Sequence, residues 1–154
     1  YNISATKNEN NTVSVAAMST FGNIREDKND YSPTGKTIND VSREDNYIEW
    51  NINVEQSGIY ALTIYYSNNE EIGEHSYNVQ HVERYATIEI NGDGNIYYFR
   101  NTFSWDTFKT KVIYVQLNEG DNVIKAYNDA SYIWNGNIPY MPRIVLLEYC
   151  LYTI

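Results

Sequence analysis

The residues of this sequence whose types could do chemistry are aromatic side chains set in polar loops. Trp105 lies in the segment from Ser104 to Phe108, SWDTF, which is polar apart from its two aromatic rings. An aromatic face can pack against the C–H face of a sugar ring, while neighbouring polar groups hydrogen-bond the hydroxyls. A tryptophan in such a loop can also anchor the edge of a core, and the sequence leaves both interpretations open.

Further candidates for a binding surface fall in other polar segments of the chain. Trp134 lies in a loop rich in Tyr, Trp and Asn, where a recognition role and a loop anchor are equal alternatives. Trp50 alternates with Ile48 and Ile52, so we expect it in the core. The side chains that could stack on or shape a ligand are Trp134, Tyr140 and Tyr31, and those that could hydrogen-bond it are Asn128, Asn137 and Asp106.

Catalytic and metal-binding patterns are weak. His75 and His81 could begin a zinc site, but no third or fourth ligand follows at a diagnostic spacing. Cys150 is the only cysteine, so it forms no internal disulfide, and no histidine lies near it in sequence. Neither a Gly-x-Ser-x-Gly elbow nor a glycine-rich phosphate loop occurs. We therefore expect a non-catalytic chain, since an enzyme would need two convergent titratable groups in one cleft.

The charge balance restricts the class of partner. The chain has 154 residues and a formal net charge of −9. An acidic surface repels phosphate backbones and anionic membranes, so we expect neither nucleic acid nor membrane as a partner. No stretch approaches the roughly 20 apolar residues that span a bilayer. The length is that of a single domain.

Alternating apolar and polar residues predict strands throughout, and no helix is expected. The segment 47–54 alternates cleanly, and a short glycine-containing turn joins it to 59–67, which predicts a hairpin. Asn91-Gly92 predicts a second hairpin, whereas 22–44 is expected to be a loop. The pattern indicates an all-β antiparallel sandwich of about 8–10 strands whose loops cluster at its ends. The predicted strands are 3–5, 12–18, 47–54, 59–67, 84–91, 96–100, 111–117, 122–127 and 143–152.

An ordered set of short motifs carries a resemblance to a known family. The set is YIEW at 47–50, SGIYALTIYY at 57–66, ATIEING at 86–92, SWDTF at 104–108 and LNEGDNVI at 117–124. Over roughly residues 8–150, the chain resembles the carbohydrate-binding modules of families 6 and 35. The resemblance implies a β-jelly roll that binds sugars with the loops at one end. It also implies a non-catalytic module attached to secreted bacterial carbohydrate-active enzymes, often with a structural calcium.

The resemblance also assigns roles to single residues. The ligand-stacking tryptophan of the family falls on Trp105, its second loop aromatic on Phe108, and its early acidic calcium ligand on Glu9. Two positions depart from the family pattern: Pro142 stands where an aspartate is usual, and Tyr140 where a sugar-binding asparagine is usual. Proline offers no carboxylate, and one glutamate does not supply the six to eight oxygens that calcium takes.

From these observations we expect residues 1–154 to form one β-sandwich module, excised from a larger secreted protein. Its partners would be a polysaccharide or oligosaccharide and a covalently linked catalytic domain, with the module directing an enzyme or adhesin to the glycan. The alternative is an accessory domain that binds protein or packs against a catalytic domain without a sugar site. The sequence does not name the sugar.

Overall fold

The structure is a computed structural model that describes residues 13–43, 45–73, 75, 77–129 and 139–152. The described residues form thirteen strands and no helix. Three strands contain only two residues, which leaves ten of four residues or more. The strands are β1 Ser14–Val15, β2 Ala17–Phe21, β3 Arg25–Lys28, β4 Lys36–Asn39, β5 Tyr47–Val54, β6 Gly58–Ser67, β7 Glu71–Ile72, β8 Gln80–His81, β9 Arg84–Ile90, β10 Asp93–Phe99, β11 Lys109–Leu117, β12 Gly120–Tyr127 and β13 Arg143–Leu151.

Two antiparallel sheets make up the sandwich. One sheet has the strand order β11-β6-β13-β4-β3, with β1 also pairing β13, and the other has the order β10-β9-β12-β5-β2. Strands β7 and β8 form a separate two-stranded ribbon. The predicted fold class, an all-β antiparallel sandwich, is therefore confirmed.

The core lies between the two sheets and follows the alternation of the sequence. Ile48 and Trp50 of β5 are 0 % exposed, while Tyr47 and Glu49 on the other side of the strand are partly exposed. Strand β6 directs Leu62, at 0 % exposure, and Ile64, at 1 %, into the same core. Trp50 is thus a core residue, as the alternation predicted.

The predicted hairpin between 47–54 and 59–67 is wrong. Strand β5 pairs with β12 and β2, whereas β6 pairs with β11 and β13, so the short turn at 55–57 crosses from one sheet to the other. The turn between β11 and β12 crosses in the same way. By contrast, β9 and β10 do pair across Asn91-Gly92, where both residues have positive φ as the tight turn requires.

The prediction of a loop over 22–44 is also wrong, because β3 and β4 lie within it. Strand β3 is an edge strand with the sequence REDK, which lacks an apolar alternation because its side chains face solvent. Strand β4 lies between β3 and β13 and buries Thr37, Ile38 and Asn39. The Asn39 amide donates a hydrogen bond to the Asp27 carboxylate at 2.6 Å, which ties the buried strand to the edge.

Several strands begin or end at the same end of the sandwich, which we call the loop end. The β10–β11 connection, residues 100–108, crosses between the sheets there. The pairings that define this end are Phe99 with Arg84, Lys109 with Tyr66, and Arg143 with Ser67.

Candidate functional site

The β10–β11 connection is fixed by buried hydrogen bonds to the end of β6. The backbone N–H of Thr102 donates to the Asn68 carbonyl at 2.7 Å, and the Asn68 N–H donates back to the Thr102 hydroxyl at 3.0 Å. Both residues are buried. Buried polar groups paired in this way hold a loop in one conformation, so the aromatic residues that follow are presented from a rigid base.

Two arginine side chains lie over the ring of Trp105. The guanidinium carbon of Arg143 is 4.1 Å from the Trp105 ring centroid, and that of Arg84 is 4.8 Å from it. Arg84 is held in place because it hydrogen-bonds the Glu70 carboxylate and the Met141 carbonyl. Cations over an aromatic ring are attracted by its electron-rich face, so the half-buried ring and the guanidinium groups form one surface.

Arg143 has unused hydrogen-bonding capacity. It is half-buried, and among the described residues no carboxylate lies within ion-pair distance of its guanidinium and no acceptor hydrogen-bonds it. Burial lowers the pKa of Arg143, and the positive charges of Arg25 and Arg84 lower it further, against the opposite effect of nearby aspartates. The group remains charged at neutral pH. A partly desolvated cation with free donors favours an anionic ligand.

The loop after β3 is tied to the Trp105 loop. The Asn29 amide donates to the Asp106 carboxylate at 2.8 Å, and the Asn29 side-chain oxygen accepts the Tyr31 backbone N–H at 2.9 Å. Tyr31 is 74 % exposed. These bonds bring Asp106 and the backbone at Tyr31 to the loop end, although Tyr31 is distant from Trp105 in the sequence.

A second exposed aromatic, Phe103, was missed by the sequence reasoning. It is 65 % exposed, its φ is +61°, and its ring contacts that of His81 at a centroid distance of 5.1 Å. A groove of about 480 Å³ lies beside it. The available signal was a third aromatic residue in the same loop, but its outward direction depends on a backbone conformation that the sequence does not reveal.

Comparisons with known proteins identify solved structures that have a similar fold. No family model matches the sequence, and no curated protein matches it. A family 35 carbohydrate-binding module from Clostridium thermocellum is 28 % identical and has a TM-score of 0.73, with coverage of 90 % of this chain and 97 % of that chain. A native structure of a family 35 module from the same organism is 26 % identical, with a TM-score of 0.68 and the same coverage. This chain has the jelly-roll fold of a family 35 carbohydrate-binding module.

Other structures extend the comparison at the level of the fold. A family 35 module in complex with a disaccharide that contains glucuronic acid is 20 % identical and has a TM-score of 0.66, with coverage of 92 % of this chain and 94 % of that chain. The neighbours support carbohydrate binding in general. The family 35 neighbours are binding modules rather than enzymes, which is what the prediction of a non-catalytic module expects, and the predicted resemblance in fold is confirmed.

The remaining predicted site residues lie in different parts of the molecule. Asn128 is 0 % exposed, and its amide donates to the Tyr85 carbonyl at 3.2 Å, so it lies inside the module rather than on its surface. Tyr140 is half-buried beside Met141, whose N–H donates to the Val41 carbonyl at 2.9 Å. The predicted residues Trp134, Asn137 and Glu9 lie outside the described residues.

The described residues do not supply a metal site. No group of three or more His, Cys, Asp or Glu side chains within the described ranges could hold a metal ion. His81 lies 3.7 Å from Glu71, whereas His75 stacks on Tyr77, so the two histidines do not converge. Pro142, at the family's usual aspartate position, is buried and has no carboxylate. The described part of the chain therefore supplies no carboxylate cluster for a calcium ion, and calcium binding stays a prediction.

Within the described residues, no helix is long and apolar enough to cross a membrane. Cys150 is half-buried and forms no disulfide.

Proposed function

We propose that this chain binds a glycan at the loop end, on the surface formed by Trp105, Arg143, Asp106 and Tyr31. The observation that carries the proposal is the half-buried Trp105 ring with the Arg143 guanidinium 4.1 Å from its centroid. The exposed part of the ring offers a dry contact for a sugar, and the guanidinium offers donors that no described acceptor uses. Asp106 and the Tyr31 hydroxyl would orient the sugar by hydrogen bonds.

An acidic sugar is the ligand class that this surface favours. Three arginines, Arg25, Arg84 and Arg143, interact electrostatically here, although the chain as a whole carries a charge of −9. Arg84 and Arg25 have carboxylate partners, whereas Arg143 has none among the described residues. A carboxylate on a sugar ring would complete the hydrogen bonding of Arg143. The acidic remainder of the surface would disfavour a densely charged polymer.

One neighbouring structure supports this ligand class. One family 35 module binds a disaccharide that contains glucuronic acid. A structure of an exo-β-1,3-galactanase from Phanerochaete chrysosporium, 14 % identical with a TM-score of 0.69, matches 90 % of this chain over 29 % of its own length. The fold therefore occurs within a longer enzyme chain. We infer that residues 1–154 form one module of a secreted protein with a linked catalytic domain, and that the module raises the concentration of that domain at a polysaccharide.

The test is calorimetric titration of the chain with glucuronic acid, a disaccharide that contains it, and the corresponding uncharged sugars. Replacing Trp105 by alanine is expected to lower the affinity for the acidic sugar at least about tenfold, because the stacking contact and the support of Arg143 are lost together. The matched control is Tyr114→Ala, which removes an exposed aromatic from strand β11. Unchanged affinity in Trp105→Ala would show that the site lies elsewhere.

The alternative function, a protein-interaction domain, predicted an apolar patch in the loop from Trp134 to Tyr140. Most of that loop lies outside the described residues. No observation on the described surface favours this alternative over glycan binding. A glycan array with no binding, with and without calcium, would favour it.

A further inference from the structure

The groove beside Phe103 is lined by residues of the β10–β11 connection and of adjacent strands, and neither Arg84 nor Arg143 is among its lining residues. It has a volume of about 480 Å³, and Tyr66 forms part of its wall. The Tyr66 hydroxyl is committed, because it donates to the Arg100 carbonyl at 3.0 Å. The other lining residues include Phe103, His81, Arg100, Lys109 and Glu83.

The backbone of Phe103 is held in a conformation that large residues rarely adopt. Its φ of +61° lies in the left-handed region. The Asn101 side-chain oxygen accepts the Phe103 N–H at 2.7 Å, while the Asn101 amide donates to the carbonyls of Glu70 and Val82 at 3.0 and 3.1 Å. This buried asparagine fixes the strained backbone, and the result is a ring that projects into solvent. Strain that the surroundings enforce is a sign of function.

Three charged side chains around the ring are without ion-pair partners in the described part of the chain. Arg100, Lys109 and Glu83 line the groove and are exposed, and none of them lies within ion-pair distance of an opposite charge there. Two donors and one acceptor therefore line the same groove as the Phe103 ring. This combination suits a ring with several hydroxyl groups, whose C–H face packs on Phe103 and whose hydroxyls bind the charged groups.

We propose that this groove is a second subsite that binds further sugar residues of the same glycan chain that occupies the Trp105 surface. The inference rests on the proposed function. Phe103 and Trp105 are two residues apart, so their Cα atoms are separated by at most about 7 Å. A short oligosaccharide can therefore cross from one aromatic to the other. Binding at both surfaces makes the second contact intramolecular, which raises the affinity for longer ligands.

The test compares ligands of increasing length on the wild-type chain and on variants. Calorimetry is done with glucuronic acid and with acidic oligosaccharides that contain it, from a disaccharide to a hexasaccharide. We expect the wild-type affinity to rise at least about tenfold along the series. Phe103→Gly should remove this gain and leave the affinity for glucuronic acid within about twofold of wild type, and Lys109→Met should reduce the gain.

The Phe103→Gly variant separates binding from folding. Glycine adopts positive φ without strain, so the melting temperature should be unchanged or higher, and lost binding would not reflect unfolding. Trp105→Ala serves as the contrasting variant, because it should weaken every ligand in the series.

Three outcomes would overturn the inference, and they differ in what they say of the Trp105 site. If glucuronic acid binds but affinity does not rise with length, the second subsite is wrong and the proposed function stands. If affinity rises with length equally in wild type and Phe103→Gly, the additional sugar residues bind outside the Phe103 groove, and the second subsite is wrong. If no member of the series binds to the wild-type chain, both the subsite and the acidic-sugar site are wrong.

Discussion

Replacing Arg143 by methionine is expected to weaken the binding of an acidic sugar without lowering the stability of the fold. Methionine keeps an unbranched apolar stem against Trp105 but removes the guanidinium. In the unbound protein that group is half-buried, has no described hydrogen-bond acceptor, and is repelled by Arg25 and Arg84. The positive charge of Arg143 should therefore raise the affinity for an acidic ligand and lower the stability of the unbound fold.

The stability effect can be bounded from the distances. The guanidinium carbons of Arg143 and Arg84 lie 4.1 and 4.8 Å from the same ring centroid, so they are separated by at most about 9 Å. At an effective dielectric constant of about 20, two unit charges at that distance repel by roughly 2 kcal/mol. Glu70 beside Arg84, the attraction of Asp27 and Asp40 for Arg143, and dissolved salt cancel part of this repulsion. Losing the cation–π contact costs about 0.5–1 kcal/mol, so the variant should be as stable as wild type or up to about 1 kcal/mol more stable.

The binding effect is larger and has the opposite sign. A hydrogen bond to a charged group contributes about 1.5–3 kcal/mol. Its loss lowers the affinity by a factor of roughly 10 to 150. Binding of uncharged sugars should change little, because they provide no carboxylate for the guanidinium.

The assay combines thermal unfolding with calorimetric titration of glucuronic acid. At this chain length 1 kcal/mol corresponds to about 2–4 °C in melting temperature, so the variant should melt at or slightly above the wild-type temperature. Lys36→Met is the matched control, because Lys36 is an exposed cation on β4 whose partner is Glu26 at 3.2 Å. A drop of several degrees in the melting temperature of Arg143→Met would show that the guanidinium is structural. Unchanged affinity for glucuronic acid would refute its role in binding.

Two further predictions concern pH and calcium. Burial raises the pKa of the Tyr66 hydroxyl above its usual value. Its contribution to stability is therefore complete below about pH 10 and is lost as the pH rises through the folded-state pKa. Melting temperatures between pH 8 and 11 should fall less steeply for Tyr66→Phe than for wild type, and parallel curves would contradict this assignment. If calcium binds as the resemblance implies, adding it should raise the melting temperature and a chelator should reverse the rise. Identical melting temperatures in both conditions would make the calcium prediction wrong.

The sequence by itself determined the elements whose signals are local. Strand 47–54 was predicted with the bounds that the structure has, because alternate apolar residues can only be buried together on one face of a strand. The β9–β10 hairpin was readable because Asn91-Gly92 tolerates the positive φ of a tight turn. Trp105 could be predicted as a site candidate because an aromatic residue in a polar segment is recognisable from the local sequence alone.

Only the tertiary structure decided which elements meet. The sequence shows that a turn follows β5 but not which strand pairs with β5. The turn joins the two sheets because β5 pairs with β12, whereas β6 pairs with β11. Strand β3 carried no apolar pattern because an edge strand needs none. Arg84 and Arg143 approach Trp105 from β9 and β13, and no local pattern marks an arginine that will lie over a distant ring. Strand pairing and side-chain clustering are contacts between residues far apart in the chain, so they depend on the whole packing of the two sheets rather than on any one segment.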